Sequence, residues 1–313
     1  MKTKTQLRSL ESIGARSTQY YRDTLGFRAH ILGDPSKQRT VLINCGWASV
    51  PELYTNLAER LSRDGLAVVI LSLRGVGENP LGKSTPSTYI QTSVEDSLHL
   101  LKSLNVRELI LMPHSTGAQV ALKLIDQLPS EVVVKGCILN APSLPDTLAA
   151  FPTKTILNKV GKLAAKVFLK MVSLGVKEDQ INWFAKFSAK LATWVFRLCS
   201  PLMVLNAYKE SRKLNAEFWR TATKQSSETL AVSLAALANC SGELTSQVRI
   251  DAPSVFIGYE FDTLVDPELG ITSASGYVLG KHSRAIKLSG ACHFDHEIRF
   301  AEISGEVNRI LGD

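Results

Sequence analysis

Leu109-Ile110-Leu111-Met112-Pro113-His114-Ser115-Thr116-Gly117-Ala118-Gln119-Val120-Ala121-Leu122 is the stretch on which the reading of this chain turns. It begins as a short apolar strand, passes through a tight turn carrying a serine, and continues as an apolar-periodic helix. A serine in such a turn has its backbone pinned and its hydroxyl pushed past the strand end. The helix starts beside it, so free N–H groups and the positive dipole end lie next to the hydroxyl. That arrangement suits a nucleophile whose product develops an oxyanion. Ser115 and Gly117 match the second half of a G-x-S-x-G turn, whereas Pro113 replaces its first glycine. By itself the turn is a weak signal, because a serine ahead of a glycine is more often a helix cap than a nucleophile.

Working outward, strand and helix patterns alternate on both sides of this unit. Thr40–Cys45 and Leu66–Leu73 are near-continuous apolar runs, the pattern of strands covered on both faces. A helix is expected from Pro51 to about Arg63, with Ser49 as its cap, and another from Tyr89 to Leu104. A further strand spans Val132–Leu139. Alternation stops near Ser143 and resumes at Ala252–Gly258, followed by a helix over Pro267–Tyr277, a strand over Arg284–Leu288 and a last helix from His296 to Leu311. This order predicts a mostly parallel sheet with crossover helices on both faces. Upstream, Ser17–Arg28 reads equally as an edge hairpin or a loose helix, and Asp34-Pro35-Ser36-Lys37 as a turn. Three segments follow: 1–145 as the first part of a core, with 1–30 as an extension; 146–245 as an inserted helical lid; and 246–313 as the second part of the core.

The 313 residues carry a net charge of +7, and one segment holds all the excess. Residues 151–220 contain 13 Lys+Arg against 4 Asp+Glu, while the remainder has 23 against 25. Lys159, Lys162, Lys166 and Lys170 fall in one helical stripe, and Lys186, Lys190 and Arg197 in a second. Trp183, Phe184, Phe187, Leu191, Trp194 and Leu198 occupy the other faces of the second helix. The simplest reading is a pair of lid helices with basic faces in solvent and apolar faces over a pocket. A sharper one docks the stripe on an acidic surface, either a membrane interface or an acidic protein carrying the substrate. Nucleic acid is the least suitable partner, since no binding motif accompanies the charge. The start of the chain lacks the apolar core of a secretion signal, and no run of about 18 uncharged apolar residues occurs. The five cysteines, at 45, 137, 199, 240 and 292, are odd in number and show no close pairing. A reducing, cytoplasmic location is expected, with a peripheral place at a membrane surface left open.

Sites of open parallel sheets lie at the carboxyl ends of the strands. The turns found there are Cys45-Gly46-Trp47, Arg74-Gly75-Val76-Gly77, His114-Ser115-Thr116-Gly117, Asp262-Thr263-Leu264-Val265-Asp266 and Cys292-His293-Phe294. They supply a serine, an acid and a histidine in chain order, each after a different strand. The set resembles the α/β-hydrolase family over most of the chain outside the insertion. Gly46-Trp47 resembles the family's H-G-x turn, with Cys45 in place of histidine. Arg74-Gly75-Val76-Gly77 resembles D-x-R-G-x-G, with Ser72 in place of aspartate. Asp262–Val265 resembles the turn carrying the triad acid, and Gly290–Phe294 the turn carrying the triad histidine.

The resemblance implies that Ser115 is the nucleophile, His293 the general base and Asp262 its orienting acid, with Asp266 as the alternative acid. It also implies an oxyanion hole from the backbone N–H groups of Trp47 and Thr116. His114 would pack near the turn rather than act as a base, and His296 would be a surface residue in the first turn of the last helix. His30, His99 and His282 suggest only surface or core positions. Family members that open epoxides or cleave carbon–halogen bonds carry aspartate at the elbow, so Ser115 argues against that chemistry. No phosphate loop, dinucleotide fingerprint or metal spacing occurs, and neither cofactor nor metal is expected. The expected function is a lidded serine hydrolase for a carboxylic ester or thioester with a hydrophobic acyl group. Acyl transfer or thioesterase action on a carrier-bound acyl group remains open, as does a non-hydrolytic ligand-binding role.

Overall fold

A computed structural model describes residues 8–22, 24–144, 170–171, 174–177, 180–191, 194, 211–239, 247–262, 264–280 and 282–312. The basic stripe at 159, 162 and 166, together with Arg197, Leu198, Cys199 and Cys240, lies outside the described residues.

The chain opens with a hairpin, β1 (Arg16–Arg22) and β2 (Leu25–Leu32), which settles the reading of Ser17–Arg28. β3 (Thr40–Asn44), β4 (Ala67–Leu71), β5 (Glu108–Leu111) and β6 (Val133–Asn140) follow. Two two-residue strands, β7 (Val176–Lys177) and β8 (Gln180–Ile181), pair with each other. β9 (Val248–Ile250) pairs with β11 (Val278–Gly280) outside the main sheet, which β10 (Ser254–Tyr259) and β12 (Ser283–Leu288) complete. The eight-stranded order is β1-β2-β4-β3-β5-β6-β10-β12. It is parallel throughout except at the β1–β2 and β2–β4 pairings.

The helices are α1 (Thr55–Arg63), α2 (Tyr89–Ser103), α3 (Gly117–Ile125), α4 (183–191), α5 (Arg212–Ala222), α6 (Ser227–Asn239), α7 (Pro267–Tyr277) and α8 (Phe300–Gly312). Two core layers show why the central strands read as continuous apolar runs. Leu42, Val69, Leu71, Leu109 and Leu111 pack on one face with α2 and α3, including Val94, Leu101, Val120 and Leu124. Val41, Ile43, Val68, Ile70 and Ile110 pack on the other face with α1 and α8, through Leu57, Leu61, Ile303 and Val307. With both faces covered, strand alternation vanishes from the sequence.

Three local expectations differ from the structure. Ser49 does not cap α1; a short 3-10 turn over Pro51–Tyr54 comes first, because Pro51 suits an entry turn and Val50 provides no side-chain cap. The last helix begins at Phe300 rather than His296, which belongs to a separate 3-10 turn over Asp295–Glu297. His296 is fully buried rather than at the surface. Its Nε2–H donates to the Leu53 carbonyl at 2.9 Å and its ring stacks on Tyr54 at 4.6 Å, so the turn is folded inward against α1's entry.

The chain leaves the sheet at Asn140 and rejoins it at Ser254, on the neighbouring strand. Between these points α4 and α6 pack together through Ala185, Ala189, Leu230, Ala231, Leu234 and Ala235, with Trp47 against them. No helix among the described residues is long and apolar enough to cross a membrane.

Candidate active site

β3 is followed by β4 on one side and β5 on the other, so the chain reverses its direction of sheet growth at the β3–β5 crevice. Such a switch point leaves a cleft at the carboxyl ends of its two strands. Gly46-Trp47 caps β3 there, and His114-Ser115 follows β5.

Ser115 has φ +52°, a left-handed conformation that costs a residue with a Cβ of order 1 kcal/mol or more. Its surroundings hold it there. Its N–H donates to the Asn140 carbonyl at 2.8 Å, and its carbonyl accepts from Ala118 at 3.0 Å and Ser143 at 3.1 Å. The helix starts immediately, and close approach is enforced at Gly117, where a Cβ would lie 2.1 Å from the Asn44 carbonyl oxygen. Gly46 meets the turn from the other side; a Cβ there would lie 3.0 Å from the Ser115 Cβ. Pro113 fits because Met112 and His114 donate to β3, at 2.9 and 3.0 Å, while Pro113 only accepts, from Asn140 N–H at 3.0 Å. The proline therefore interrupts the ladder on one side only.

The sequence expects the Trp47 and Thr116 N–H groups to serve Ser115. Among the described residues neither the Trp47 N–H nor the Thr116 N–H has a protein acceptor. Trp47 is fixed by its indole N–H, which donates to Ser233 Oγ of α6 at 2.9 Å, and by an edge contact with Phe218 of α5.

His293 and Asp262 are both buried, with His293 Nδ1 2.6 Å from Asp262 Oδ2. The other carboxylate oxygen accepts the N–H groups of Leu264 at 2.8 Å and Val265 at 2.9 Å, which fixes the acid's rotamer. Asp266 is engaged elsewhere: it caps α7, accepting from Glu268 and Leu269 N–H. Of the two acids weighed, Asp262 is the one against the histidine.

His114 ties the turns together. Its ring lies 4.7 Å from that of His293, and its Nε2 is 2.9 Å from the His293 carbonyl. A carbonyl only accepts, so Nε2 carries the proton. Burial, with two further histidines alongside, lowers the pKa well below the ordinary histidine value, so the ring is neutral and Nδ1 is an acceptor. Tyr54 O–H donates to it at 2.9 Å, and the same oxygen accepts the Gly46 N–H at 3.2 Å. A single chain of hydrogen bonds runs from the turn after β3, through Tyr54 and His114, to the backbone of His293. The sequence marks Tyr54 only as a residue near a helix entry and carries no sign of its polar role. Tyr259 is similar, donating to Asn140 Oδ1 at 2.9 Å behind Ser115.

The departures from the family turns become packing. Cys45 is buried and its thiol is pushed up to about 12, chiefly by desolvation. Cys137 and Cys292 are buried too, and neither is in a disulfide. Ser72 Oγ donates to the Ser49 carbonyl at 3.2 Å. Arg74 is 1% exposed and pairs with Asp96 through two contacts, at 2.5 and 2.6 Å. Of the remaining histidines, His30 is buried and His282 exposed. A cavity of about 550 Å³ lies on the β1–β2 side of the turn after β3, lined by Arg28, His30, Glu52, Ser72, Glu217 and Arg220 among others. Ser115, Asp262 and His293 do not line it. No group of three or more His, Cys, Asp or Glu side chains among the described residues is placed to hold a metal ion.

Residues 35–267 match the family model described as serine aminopeptidase, S33. The chain belongs to this hydrolase family. Its fold is the α/β-hydrolase fold, and solved structures of that fold superpose over nearly the whole chain. An esterase from Exiguobacterium antarcticum is 15% identical, with a TM-score of 0.64 over 95% of this chain and 100% of that one. An epoxide hydrolase from Acinetobacter nosocomialis is 14% identical, with a TM-score of 0.70 over 95% and 89%. A bromoperoxidase from Bacillus anthracis is 14% identical, with a TM-score of 0.66 over 95% and 100%. At these identities the likeness is one of fold. His293 lies beyond the family match, so its place rests on the geometry above.

Proposed function

We propose that this member of the hydrolase family is a serine hydrolase, cleaving a carboxylic ester or thioester with an apolar acyl group. The observation that carries the reading is the strained Ser115 turn, whose preceding residue His114 has its ring 4.7 Å from that of His293, a histidine with its Nδ1 held by a buried acid. Ser115 Oγ attacks the carbonyl carbon while His293 Nε2 takes its proton. The oxyanion accepts from the Trp47 and Thr116 N–H groups, donors of a kind worth roughly 10²–10³ each in turnover. Collapse expels the alcohol or thiol, which takes the proton back from His293, and leaves an acyl-Ser115. Water then attacks the acyl carbon with His293 again as base, releasing the acid. Asp262 fixes the imidazole tautomer throughout. No step needs a cofactor.

The apolar preference is supported by what surrounds the turns: Trp47 against Leu230 and Leu234, and Phe218 against Phe294 at 4.3 Å. The segment 146–245 acts as the lid, since α6 holds Trp47 and Ser211, ahead of α5, donates to Asp295 Oδ2 at 2.6 Å, two residues past His293. The aspartate chemistry of epoxide-opening neighbours is not available to Ser115.

A series of p-nitrophenyl esters and acyl thioesters of rising chain length tests the assignment. We expect turnover that increases with acyl length and falls by roughly 10³-fold or more in Ser115→Ala. Equal rates in the two proteins would refute it. Aminoacyl anilides belong in the same panel because of the family's description, and selective turnover of these would move the substrate from esters to amides.

A further inference from the structure

Helix α4 is built the opposite way from an ordinary surface helix. Its buried positions are small: Ala185 and Ala189 are fully buried against α6, and Ser188 is 2% exposed. Its large side chains point to solvent. Trp183 is 75% exposed, Phe187 56% and Leu191 41%, and Trp194 beyond them is 60% exposed. These positions are spaced four, four and three residues apart, the interval of one helical face. The sequence alone suggests that such faces cover the pocket. The structure turns them outward instead, because only the alanine and serine positions are small enough for the close approach to α6.

Lys186 and Lys190 fall along one edge of the same stripe at about 100° per residue. Lys186 reaches Glu228 at 3.3 Å, with both groups exposed, a contact worth little against a strong external field. The surrounding segment, 151–220, carries a balance of +9, although the rest of the chain is slightly acidic. Two exposed tryptophans, a phenylalanine and a leucine in line, bordered by lysines, match the requirements of a bilayer interface. Indole rings sit at headgroup level, aliphatic and phenyl groups enter the acyl boundary, and cations meet anionic phosphates.

We propose that the outer face of α4 docks on an anionic phospholipid bilayer. The position of the helix gives docking a consequence. The inner face of α4 packs on the same small cluster that receives Trp47, whose backbone N–H is one of the two oxyanion donors in the function proposed above. An interface that seats α4 therefore acts one layer away from the candidate nucleophile, and it presents lipid acyl esters to this side of the molecule. The docking itself does not depend on the Ser115 chemistry.

Co-sedimentation of the full chain with vesicles tests this, using phosphatidylcholine alone and phosphatidylcholine with phosphatidylglycerol. The wild type and Ser115→Ala should bind the anionic vesicles equally, and bind neutral vesicles about tenfold or more weakly. The double variant Trp183→Ser/Trp194→Ser should lose about tenfold or more in anionic-vesicle binding while retaining turnover of a soluble short-chain ester. Tyr21→Ser, which removes an aromatic group 65% exposed on β1, should change nothing. Undiminished vesicle binding by the tryptophan variant would overturn the proposal. So would absence of vesicle binding by the wild type, including the case in which an acidic acyl-carrier protein binds the same face instead. Loss of ester turnover in Ser115→Ala with vesicle binding intact is the expected pattern; binding without turnover in the wild type would fail the hydrolase reading alone.

Discussion

Tyr54 shows what a single hydroxyl does in this molecule. It accepts the Gly46 N–H and donates to His114, whose other nitrogen donates to the backbone of His293. Removing it leaves a buried N–H and a buried imidazole nitrogen without partners, each costing about 1–3 kcal/mol. Tyr54→Phe should therefore lower the unfolding free energy by about 2–6 kcal/mol and reduce kcat for the ester substrate more than it raises KM. Chemical denaturation and steady-state kinetics on the same preparation check both. A variant that keeps wild-type stability would show that the chain of hydrogen bonds is dispensable. This residue also marks a limit of the sequence. Ser115, Asp262 and His293 announce themselves through turns of recognisable composition, and the structure brings Asp262 to His293. Tyr54 and Asn140 are joined to them only by tertiary contact, for which a linear pattern has no sign. His296 is hidden for the same reason: three residues after His293, its position suggests a helix start, but a stacking partner 242 positions earlier, at Tyr54, draws it inside.

At the scale of elements, the decisive packing is β5-turn-α3 against β3. The sequence exposed the strands and helices well because both sheet faces are covered, and apolar runs bounded by glycine and proline are hard to misread. Boundaries were less legible. Pro51 opens a 3-10 turn rather than α1 itself, and α8 starts four residues later than its apolar period suggests. Gly117 is the element-scale constraint, with a prospective Cβ 2.1 Å from a backbone oxygen of the strand below. Because that oxygen belongs to the main chain, no rotamer change relieves the contact. Gly117→Ala should shift α3 away from β3, lower stability by about 1–3 kcal/mol as overpacking does, and reduce turnover by more than tenfold. Thermal unfolding with ester kinetics reads both effects, and an alanine variant indistinguishable from wild type would refute the close crossing. The orientation of α4 was not legible either. Composition shows an amphipathic helix, whereas which face turns inward depends on how small its neighbours on α6 are.

For the whole molecule, burial of ionisable groups gives stability a pH dependence. Desolvation holds His296 down to about 3, and His114 is lowered well below the ordinary value of 6.5. Unfolding restores the higher affinity for a proton. The contribution of neutral burial is thus fully present above pH 6.5 and is lost as pH falls through each lowered pKa, toward 3 for His296, with a slope of about 1.4 kcal/mol per pH unit for each histidine. Glu297 works in the opposite sense. Desolvation raises it to about 8, so its burial favours the fold below about 4.5 and loses that effect as pH rises toward 8. The two trends overlap, and a comparison with His296→Phe isolates the histidine while keeping a ring against Tyr54. Between pH 6.5 and 4.5 the wild type should lose about 1.4 kcal/mol more per unit than the variant, measured by urea denaturation. Parallel curves would contradict neutral burial of His296.

The most direct test of the serine-hydrolase assignment is intact-mass spectrometry after incubation with an alkyl fluorophosphonate, wild type beside Ser115→Ala and His293→Ala. One adduct on the wild type, located on Ser115 by peptide mapping, and none on Ser115→Ala, with strongly slowed labelling of His293→Ala, is the predicted result. No adduct on the wild type, or an adduct that survives Ser115→Ala, would contradict the assignment of Ser115 as an activated nucleophile.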